Sequence, residues 1–304
     1  MRTAIAEGVL RHASQAAADI GMKHKRPSTV LILDSDISEI RLLLERYAGV
    51  VLDERCDTLR AHISEQSTLH HLRSATEFTR LLRSTPVTCD DLLEAVLACE
   101  TSFFAHPVVF EALRNQVLPD ILKRKERERP SSLRIWSAGS GSGEEAYSIA
   151  LTLCEALNGS SVSWNIHIVA SDIRRAALKT AERGLYPEAK LQKVPSPWIS
   201  SYFSRVGDHF LVKPRLRNLI TFSPMNLIQA NFIGHFDCVF CLDVLPHLST
   251  IHRSALLERL RMFLEPGGYL FVGETEKLGG DSNSKYLNYN YYRRPLAAAA
   301  RSGR

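Results

Sequence analysis

The residues best suited to chemistry form a glycine-rich loop between an apolar segment and an amphipathic one. The stretch runs from Ile135 to Glu145 and has Gly139, Gly141 and Gly143 at alternate positions. Glycines let the backbone approach a ligand closely where a parallel strand ends. The loop lacks the Gly-Lys-Ser/Thr of a Walker A loop, the pattern of a nucleophile elbow and the G-x-G-x-x-G of a dinucleotide site. It therefore indicates a ligand-binding turn of another kind.

Two carboxylates, Glu144 and Glu145, directly follow this loop. In the first turn of a helix they would repel a phosphate group, which that position otherwise favours. They would suit a ligand with a cationic amino group and no phosphate, such as S-adenosylmethionine. Acids also favour helix N-termini through the helix dipole, so both could serve only to start the helix. We predict that at least one of them contacts the ligand.

Polar residues also follow the next three apolar segments. Asp172 could accept hydrogen bonds from ribose hydroxyls, and it could equally cap the following helix. Asn226 could bind the edge of an adenine with Leu227 packed on the ring, and Asp243 and Val244 end the fourth segment. Because the carboxyl ends of parallel strands meet at one edge of a sheet, these residues and the glycine loop predict a single crevice.

The elements that must position these groups are predicted by periodicity. After residue 132, strands alternate with helices, which is typical of a doubly wound parallel α/β sheet. Prolines and alternating apolar residues at 186–217 predict a small β insertion, and helical spacing of apolar residues predicts an all-helical region before the sheet. The predicted division is an extension at 1–37, a helical domain at 38–122, a charged linker at 123–132, the α/β domain at 133–295 and a tail at 296–304.

The composition excludes several classes of protein. No stretch of the 304 residues reaches the roughly 18 uncharged apolar residues of a membrane span. The net charge of +5 is mild, so we expect no nucleic-acid partner. Six cysteines are too few for a disulfide framework and fit a reducing compartment, which favours a cytoplasmic protein. Cys238 and Cys241 have metal-ligand spacing, but on a strand they would point to opposite faces, so no metal site is expected.

A collinear series of short motifs covers most of residues 38–280. The motifs are Thr101–Phe104, Trp136–Gly139, Gly143–Glu145, Tyr147–Ala150, Ala170–Ile173, Gly184–Tyr186, Asn226–Leu227, Phe236–Cys241 and Pro266–Leu270. In sequence and order they resemble the bacterial chemotaxis receptor methyltransferases, the CheR family, which are S-adenosylmethionine-dependent protein-glutamate O-methyltransferases. The resemblance implies a helical N-terminal domain and a Rossmann-like methyltransferase domain with a three-stranded β-subdomain.

The same resemblance implies the reaction and its partners. The cofactor would be S-adenosyl-L-methionine, the product S-adenosyl-L-homocysteine, and the acceptor a glutamate on the cytoplasmic helices of a chemoreceptor. Thr101, Phe104 and His247 would lie beside the transferring methyl group. Some members grip a receptor's C-terminal pentapeptide through a longer loop, whereas residues 205–209 here are short and resemble the pentapeptide-independent type. We expect a monomer without stable membrane insertion.

The chain departs from the family pattern beside the reacting centre. Ala105 stands where the family has Arg after T-x-F-F, and Leu242–Asp243 stands where it has Arg-Asn. A glutamate acceptor is already ionised at neutral pH, so orientation matters more than a base, and an Arg fork would supply it. Its loss is expected to slow transfer without abolishing cofactor binding, and His106 or His247 could partly replace it. Two alternatives stay open: a regulatory or scaffold module that binds the cofactor or its product, and an active enzyme with a retargeted substrate.

Overall fold

The computed structural model describes residues 32–53, 57–97, 101–126, 131–160, 162–229, 231, 234–273 and 291–296. Most of the predicted extension at 1–37 and of the predicted tail at 296–304 lies outside the described residues, as does part of the predicted linker at 123–132.

Helices occupy most of the described residues before 126. They are α1 (Asp34–Ala48), α2 (Asp57–Leu69), α3 (Ala75–Ser84), α4 (Pro86–Val96), α5 (Pro107–Ala112) and α6 (Leu118–Lys125), with a π-helical segment at Leu113–Val117 between the last two. Helix α1 begins four residues earlier than the apolar pattern predicts, because the Asp36 carboxylate accepts the backbone N–H of Leu33 at 2.9 Å. It ends at Gly49, whose φ of +73° suits a residue without a side chain.

Strands and helices alternate after residue 131. The strands are β1 (Ser132–Ala138), β2 (Asn165–Asp172), β3 (Leu185–Pro187), β4 (Phe203–Val206), β5 (His209–Val212), β6 (Ile220–Pro224), β7 (Phe236–Cys241), β8 (Leu264–Val272) and β9 (Tyr291–Arg293). The helices are α7 (Glu144–Ala156), α8 (Arg175–Arg183), α9 (Ser196–Tyr202), α10 (Pro214–Arg217) and α11 (Thr250–Met262), with 3₁₀ turns at Glu188–Leu191 and Leu245–His247.

The main sheet has the order β6-β2-β1-β7-β8-β9. Its strands from β6 to β8 are parallel, and β9 pairs antiparallel with β8. The strand order reverses between β1 and β7, which is where doubly wound sheets open a crevice for ligands. The prediction of a doubly wound α/β fold is confirmed. Strands β3, β5 and β4 form a separate antiparallel sheet, the β insertion predicted at 186–217.

Two apolar clusters cover the two faces of the main sheet. Along β7, Cys238 and Phe240 enter one cluster, and Val239 and Cys241 enter the other. This alternation keeps the two cysteines on opposite faces, as their spacing predicts. The second cluster also contains buried side chains of α1 to α4, such as Leu44. The helical region and one face of the sheet therefore share a single core.

Helix α6 continues into the segment for which the sequence predicted a linker. The Lys125 Nζ lies 2.9 Å from the Asp237 Oδ2 on β7, and both side chains are almost fully buried. Asp237 also accepts the backbone N–H of Arg134 at 3.0 Å. The charge run thus includes a lysine that ties the helix to the sheet, which a solvated linker would not do.

Candidate functional site

A cavity of about 280 Å³ lies at the carboxyl ends of β1, β2, β6 and β7. Its volume is just below the roughly 300–1,000 Å³ typical of small-molecule sites. Ala48 at the end of α1 and Val50 just after it close one side, and the segment after α4 closes another. The predicted site residues that line it are Thr101, Gly139, Glu145, Asp172, Asn226, Leu227, Asp243, Val244 and His247.

The glycine loop needs its glycines for close packing. Gly139 has a φ of +88°, and a Cβ there would lie 2.1 Å from the Val244 Cγ2. Gly143 has a φ of +95°, and a Cβ there would lie 2.6 Å from the Cβ of Ala181 on α8. Gly141 donates its N–H to the Asp172 Oδ2 at 2.8 Å. Gly139 thus borders the cavity, whereas Gly141 and Gly143 shape the turn behind it.

Glu144 lies behind the loop and differs in role from Glu145. Its side chain is 1% exposed, and its Oε2 accepts hydrogen bonds from the hydroxyls of Thr101 at 2.6 Å and Ser142 at 2.7 Å. Lys190, from the β insertion, places its Nζ 3.6 Å from the other oxygen. Its carboxylate joins the loop to Thr101 and to the insertion, and Glu144 is not among the residues that line the cavity, so Glu145 is the one of the two acids that faces it.

Phe104 also lies outside the lining of the cavity. Its ring packs against Phe110 at 5.0 Å and Trp198 at 6.0 Å between ring centroids. Its φ of +51° is unusual for a residue with a side chain, and its N–H donates to the Ser148 Oγ at 3.0 Å. Its neighbour Ala105 lines the cavity instead.

Asp172 is 5% exposed at the end of β2, and its oxygens are largely engaged within the protein. Its Oδ1 accepts the backbone N–H of Arg174 at 2.8 Å and the Nε of the same residue at 3.2 Å. The guanidinium also donates to the backbone oxygen of Leu97 at 3.2 Å. Arg174 thus links this carboxylate to the helical region.

Glu145 faces the cavity from the first turn of α7. Its pKa is raised to about 7, mainly by burial and in part by the nearby Asp243. A 2.5 Å hydrogen bond from the Ser137 hydroxyl acts in the opposite direction and lowers the pKa. His106 places its Nε2 2.9 Å from the Asp243 Oδ2 at the mouth of the cavity. The end of the cavity near β1 and β7 therefore holds two carboxylates and one imidazole.

Ser140 presents a buried hydroxyl without a partner among the described residues. The residue is 1% exposed and lines the cavity, and its Oγ has no hydrogen-bond partner there. A buried hydroxyl left without a bond is costly, so this atom fits a polar group of a ligand.

The part of the cavity after β6 is lined by apolar side chains and one amide side chain. Met225 and Leu227 line it, and Asn226 lies between them. The Asn226 Nδ2 donates to the backbone oxygen of Tyr47 at 2.7 Å, and its Oδ1 accepts the N–H of Ile228 at 3.2 Å. The amide therefore ties α1 to this wall in addition to facing the cavity.

These groups together fit S-adenosylmethionine. Acids at one end suit an ammonium group, the acid after β2 suits ribose hydroxyls, and the apolar wall suits an adenine ring. Sequence reasoning missed Ser140 and Arg174, because a serine in a glycine loop and an arginine before a helix carry no distinctive pattern. It also missed the wall formed by Ala48 and Val50, since only tertiary packing brings α1 there.

Two further properties concern the described residues as a set. Within the described ranges, no group of three or more His, Cys, Asp or Glu side chains is arranged to hold a metal ion. Within the same part of the chain, none of the helices has the length and apolar character needed to cross a membrane.

Comparison with known proteins connects this cavity to a family. The family model described as the CheR methyltransferase, SAM binding domain, matches residues 99–292, which include most of the cavity lining. Chemotaxis protein methyltransferase 2 of Pseudomonas aeruginosa is 33% identical, covering 79% of this chain and 86% of its own length. The chemotaxis protein methyltransferases of Vibrio parahaemolyticus and Borreliella burgdorferi are 31% and 28% identical, covering 83% and 84% of this chain and 93% of each relative.

Proposed function

The chain belongs to the CheR methyltransferase family, its cofactor is S-adenosylmethionine, and from this premise we propose that it methylates glutamate side chains of a chemoreceptor. The observation that carries the proposal is the family match over the strand ends that form the cavity. The similarity to the named relatives extends over about four fifths of the chain, including the helical region.

The proposal assigns parts of the cofactor to parts of the cavity. Glu145 and Asp243 would bind the ammonium group, Asp172 the ribose, and Leu227 the adenine ring, with Asn226 at its edge. The bound cofactor supplies a methyl group on a positively charged sulfur. Thr101 and His247 would border the region where the acceptor meets that methyl group.

The proposal also includes the setting of the reaction. The acceptor would lie on the cytoplasmic helices of the receptor, and the protein would act there as a monomer without docking on a C-terminal pentapeptide. The short turn between β4 and β5 supports this, because Gly207 and Asp208 connect the two strands directly. The helical region at 38–122 and the α/β region at 133–295 would act as two parts of one catalytic unit.

Binding of S-adenosylhomocysteine tests the cofactor assignment. Calorimetric titration of the full chain should give micromolar affinity, and Asp172→Ala should abolish it. Glu77→Ala is a matched control, since Glu77 accepts the Arg73 N–H at 2.7 Å just before α3 in the helical region and does not line the cavity. Absence of binding by the folded wild-type protein would contradict the proposal.

Transfer of labelled methyl groups tests the acceptor assignment. The protein would be incubated with labelled cofactor and a purified cytoplasmic chemoreceptor fragment. Methyl esters of glutamate are released as methanol by alkali, so base-labile label on the fragment supports the proposal. Base-stable label would indicate a retargeted enzyme, and cofactor binding without transfer would indicate a regulatory module.

A further inference from the structure

Acidic side chains outnumber permanently basic ones in the lining of the cavity. The charged side chains there are Glu145, Asp172, Asp243 and Arg174, with the histidines His106 and His247 beside them. Arg174 lies against Asp172, so the charges of these two groups balance each other. An incoming carboxylate would therefore meet the negative charges of Asp243 and Glu145, unless a histidine carries a proton. The proposed cofactor would bring an ammonium group to these acids and a positive sulfur to the reacting carbon. A cation at the mouth would add a fixed partner that orients an anionic side chain.

His106 is placed to supply that cation. It follows Ala105 directly, sits at the N-terminus of α5 and lines the cavity with 21% of its side chain exposed. Its Nε2 lies 2.9 Å from the Asp243 Oδ2, and the Asp243 side chain is 65% exposed. A carboxylate at this distance stabilises the protonated imidazole. Within the described lining of the cavity, His106 is the histidine that forms an ion pair with an acid.

Groups on each neighbouring element act on this pair. Glu145 faces it from α7, His247 follows β7, and Asp172 with Arg174 follows β2. After burial and the Ser137 hydrogen bond, Asp243 and His106 are the next causes that shift the pKa of Glu145, in opposite directions. The His106–Asp243 pair therefore influences the field inside the cavity as well as at its mouth.

We propose that protonated His106, held by Asp243, receives the carboxylate of the acceptor glutamate and positions it for methyl transfer. The inference rests on the proposed function, since it names the residue that orients the substrate of that reaction. One carboxylate oxygen forms a bond to the methyl carbon while the bond from carbon to sulfur breaks, and the electron pair of that bond stays on sulfur. No proton moves, so His106 acts as a fixed cation and not as an acid or base.

The experiment compares His106→Ala and His106→Arg with the wild-type protein in the labelled-methyl assay on the receptor fragment. His106→Ala should lower kcat/KM for the acceptor on the order of tenfold to a hundredfold, because orientation is lost. Its affinity for S-adenosylhomocysteine should stay within about twofold of wild type. His106→Arg should recover part of the loss, since a guanidinium keeps its charge at every accessible pH.

The pH profile distinguishes a cation from a packing residue. At saturating cofactor, wild-type transfer should fall on the alkaline side as the imidazole loses its proton, while His106→Arg should keep its rate there. Glu145 is present in both proteins, but His106 itself lowers its pKa, so the profile is repeated in the Glu145→Gln background, where that carboxyl group does not titrate. His167→Ala is the control, because His167 lies on β2 roughly 16 Å along the strand from Asp172.

Each other outcome overturns the inference. Equal rates in wild type and His106→Ala would show that the acceptor is positioned without this side chain. Loss of S-adenosylhomocysteine binding in His106→Ala would show a structural role. A wild-type protein that binds S-adenosylhomocysteine and transfers nothing to the fragment would overturn the proposed function together with the inference, whereas the first two results leave that function intact.

Discussion

At the residue scale, Ser140 offers the cleanest test of the cavity. Its buried Oγ lacks a partner among the described residues, so a bound cofactor would complete its hydrogen bonding. Ser140→Ala should weaken binding of S-adenosylhomocysteine by about 1 kcal/mol, or roughly fivefold, with little loss of stability in the free protein. Calorimetric titration beside a thermal melt checks both quantities.

Ser142→Ala is the matched control for that variant. Ser142 lies in the same loop, but its hydroxyl bonds to the Glu144 carboxylate behind the cavity. We expect Ser142→Ala to lower the melting temperature more than Ser140→Ala. The assignment of Ser140 would be contradicted if cofactor affinity were unchanged.

If Glu145 binds the cofactor's ammonium group as proposed, we expect cofactor binding to depend on pH. Its pKa is raised to about 7 by burial, so near neutral pH it is partly protonated in the free protein. An ammonium group binds the ionised form better, so binding should release a proton, and affinity should rise as pH increases through about 7. Calorimetry in buffers of different ionisation enthalpy measures the released proton.

Glu145→Gln isolates this effect, because the amide is neutral at every pH. The variant should bind more weakly than wild type at alkaline pH and should lose the pH dependence. It should also stabilise the free fold at alkaline pH. A carboxyl group with a raised folded pKa contributes stability below its unfolded value of 4.5, and this contribution is lost as pH rises through about 7. An unchanged pH profile in Glu145→Gln would contradict the assignment.

The sequence predicted the residue types of the site better than their contacts. Asp172, Asn226 and Asp243 follow strands whose carboxyl ends meet, and this rule of parallel sheets placed them at one cavity. The same rule could not tell which of Glu144 and Glu145 faces the cavity. Adjacent side chains at the start of a helix point in different directions, and the fold of the loop decides which direction meets the cavity. Their roles were divided by long-range contacts with Thr101 and Lys190.

At the element scale, α4 braces α8, the helix that begins three residues after Asp172. The Glu94 Oε2 accepts the N–H of Ala176 at 2.9 Å, which caps α8 from a distant part of the chain. Asp90 on α4 lies 3.7 Å from the Arg175 Nε and accepts the Tyr47 hydroxyl at 2.8 Å. These contacts fix the start of α8 against the helical region. No local pattern predicts a cap supplied from 82 residues away.

Removal of the Glu94 cap should change cofactor affinity as well as stability. Glu94→Ala should cost about 1 kcal/mol of stability, as loss of a helix cap usually does. It should also weaken S-adenosylhomocysteine binding, because Arg174 and Asp172 directly precede α8. Glu77→Ala removes a comparable hydrogen bond between a carboxylate and a backbone N–H, at a residue that does not line the cavity, and should affect stability alone. Equal affinity in the two variants, measured by titration, would contradict the coupling.

At the scale of the whole molecule, one apolar core joins the helical region to the sheet. The change of apolar pattern after residue 132, from helical spacing to alternating strands and helices, predicted a helical unit and an α/β unit joined by a charged linker. In the structure, Leu44 of α1 and Val239 of β7 belong to one apolar cluster, and Lys125 is buried against Asp237. Periodicity identifies which face of each element is apolar, but it does not reveal which other element covers that face. The boundary was therefore the least predictable part of the fold.

A shared core predicts cooperative unfolding of both regions. Chains of this length often unfold in separate steps, which makes a single transition informative. Leu44→Ala in α1 and Ile168→Ala in β2 each truncate a side chain that is 0% exposed, at an expected cost of about 2–5 kcal/mol. Both variants should lower the midpoint of one common unfolding transition, measured by far-ultraviolet circular dichroism. S-adenosylhomocysteine should raise the midpoint of that same transition. If Leu44→Ala instead produced an early loss of helical signal while cofactor protection persisted, the two regions would unfold independently. The cavity would then not depend on the helical wall formed by Ala48 and Val50.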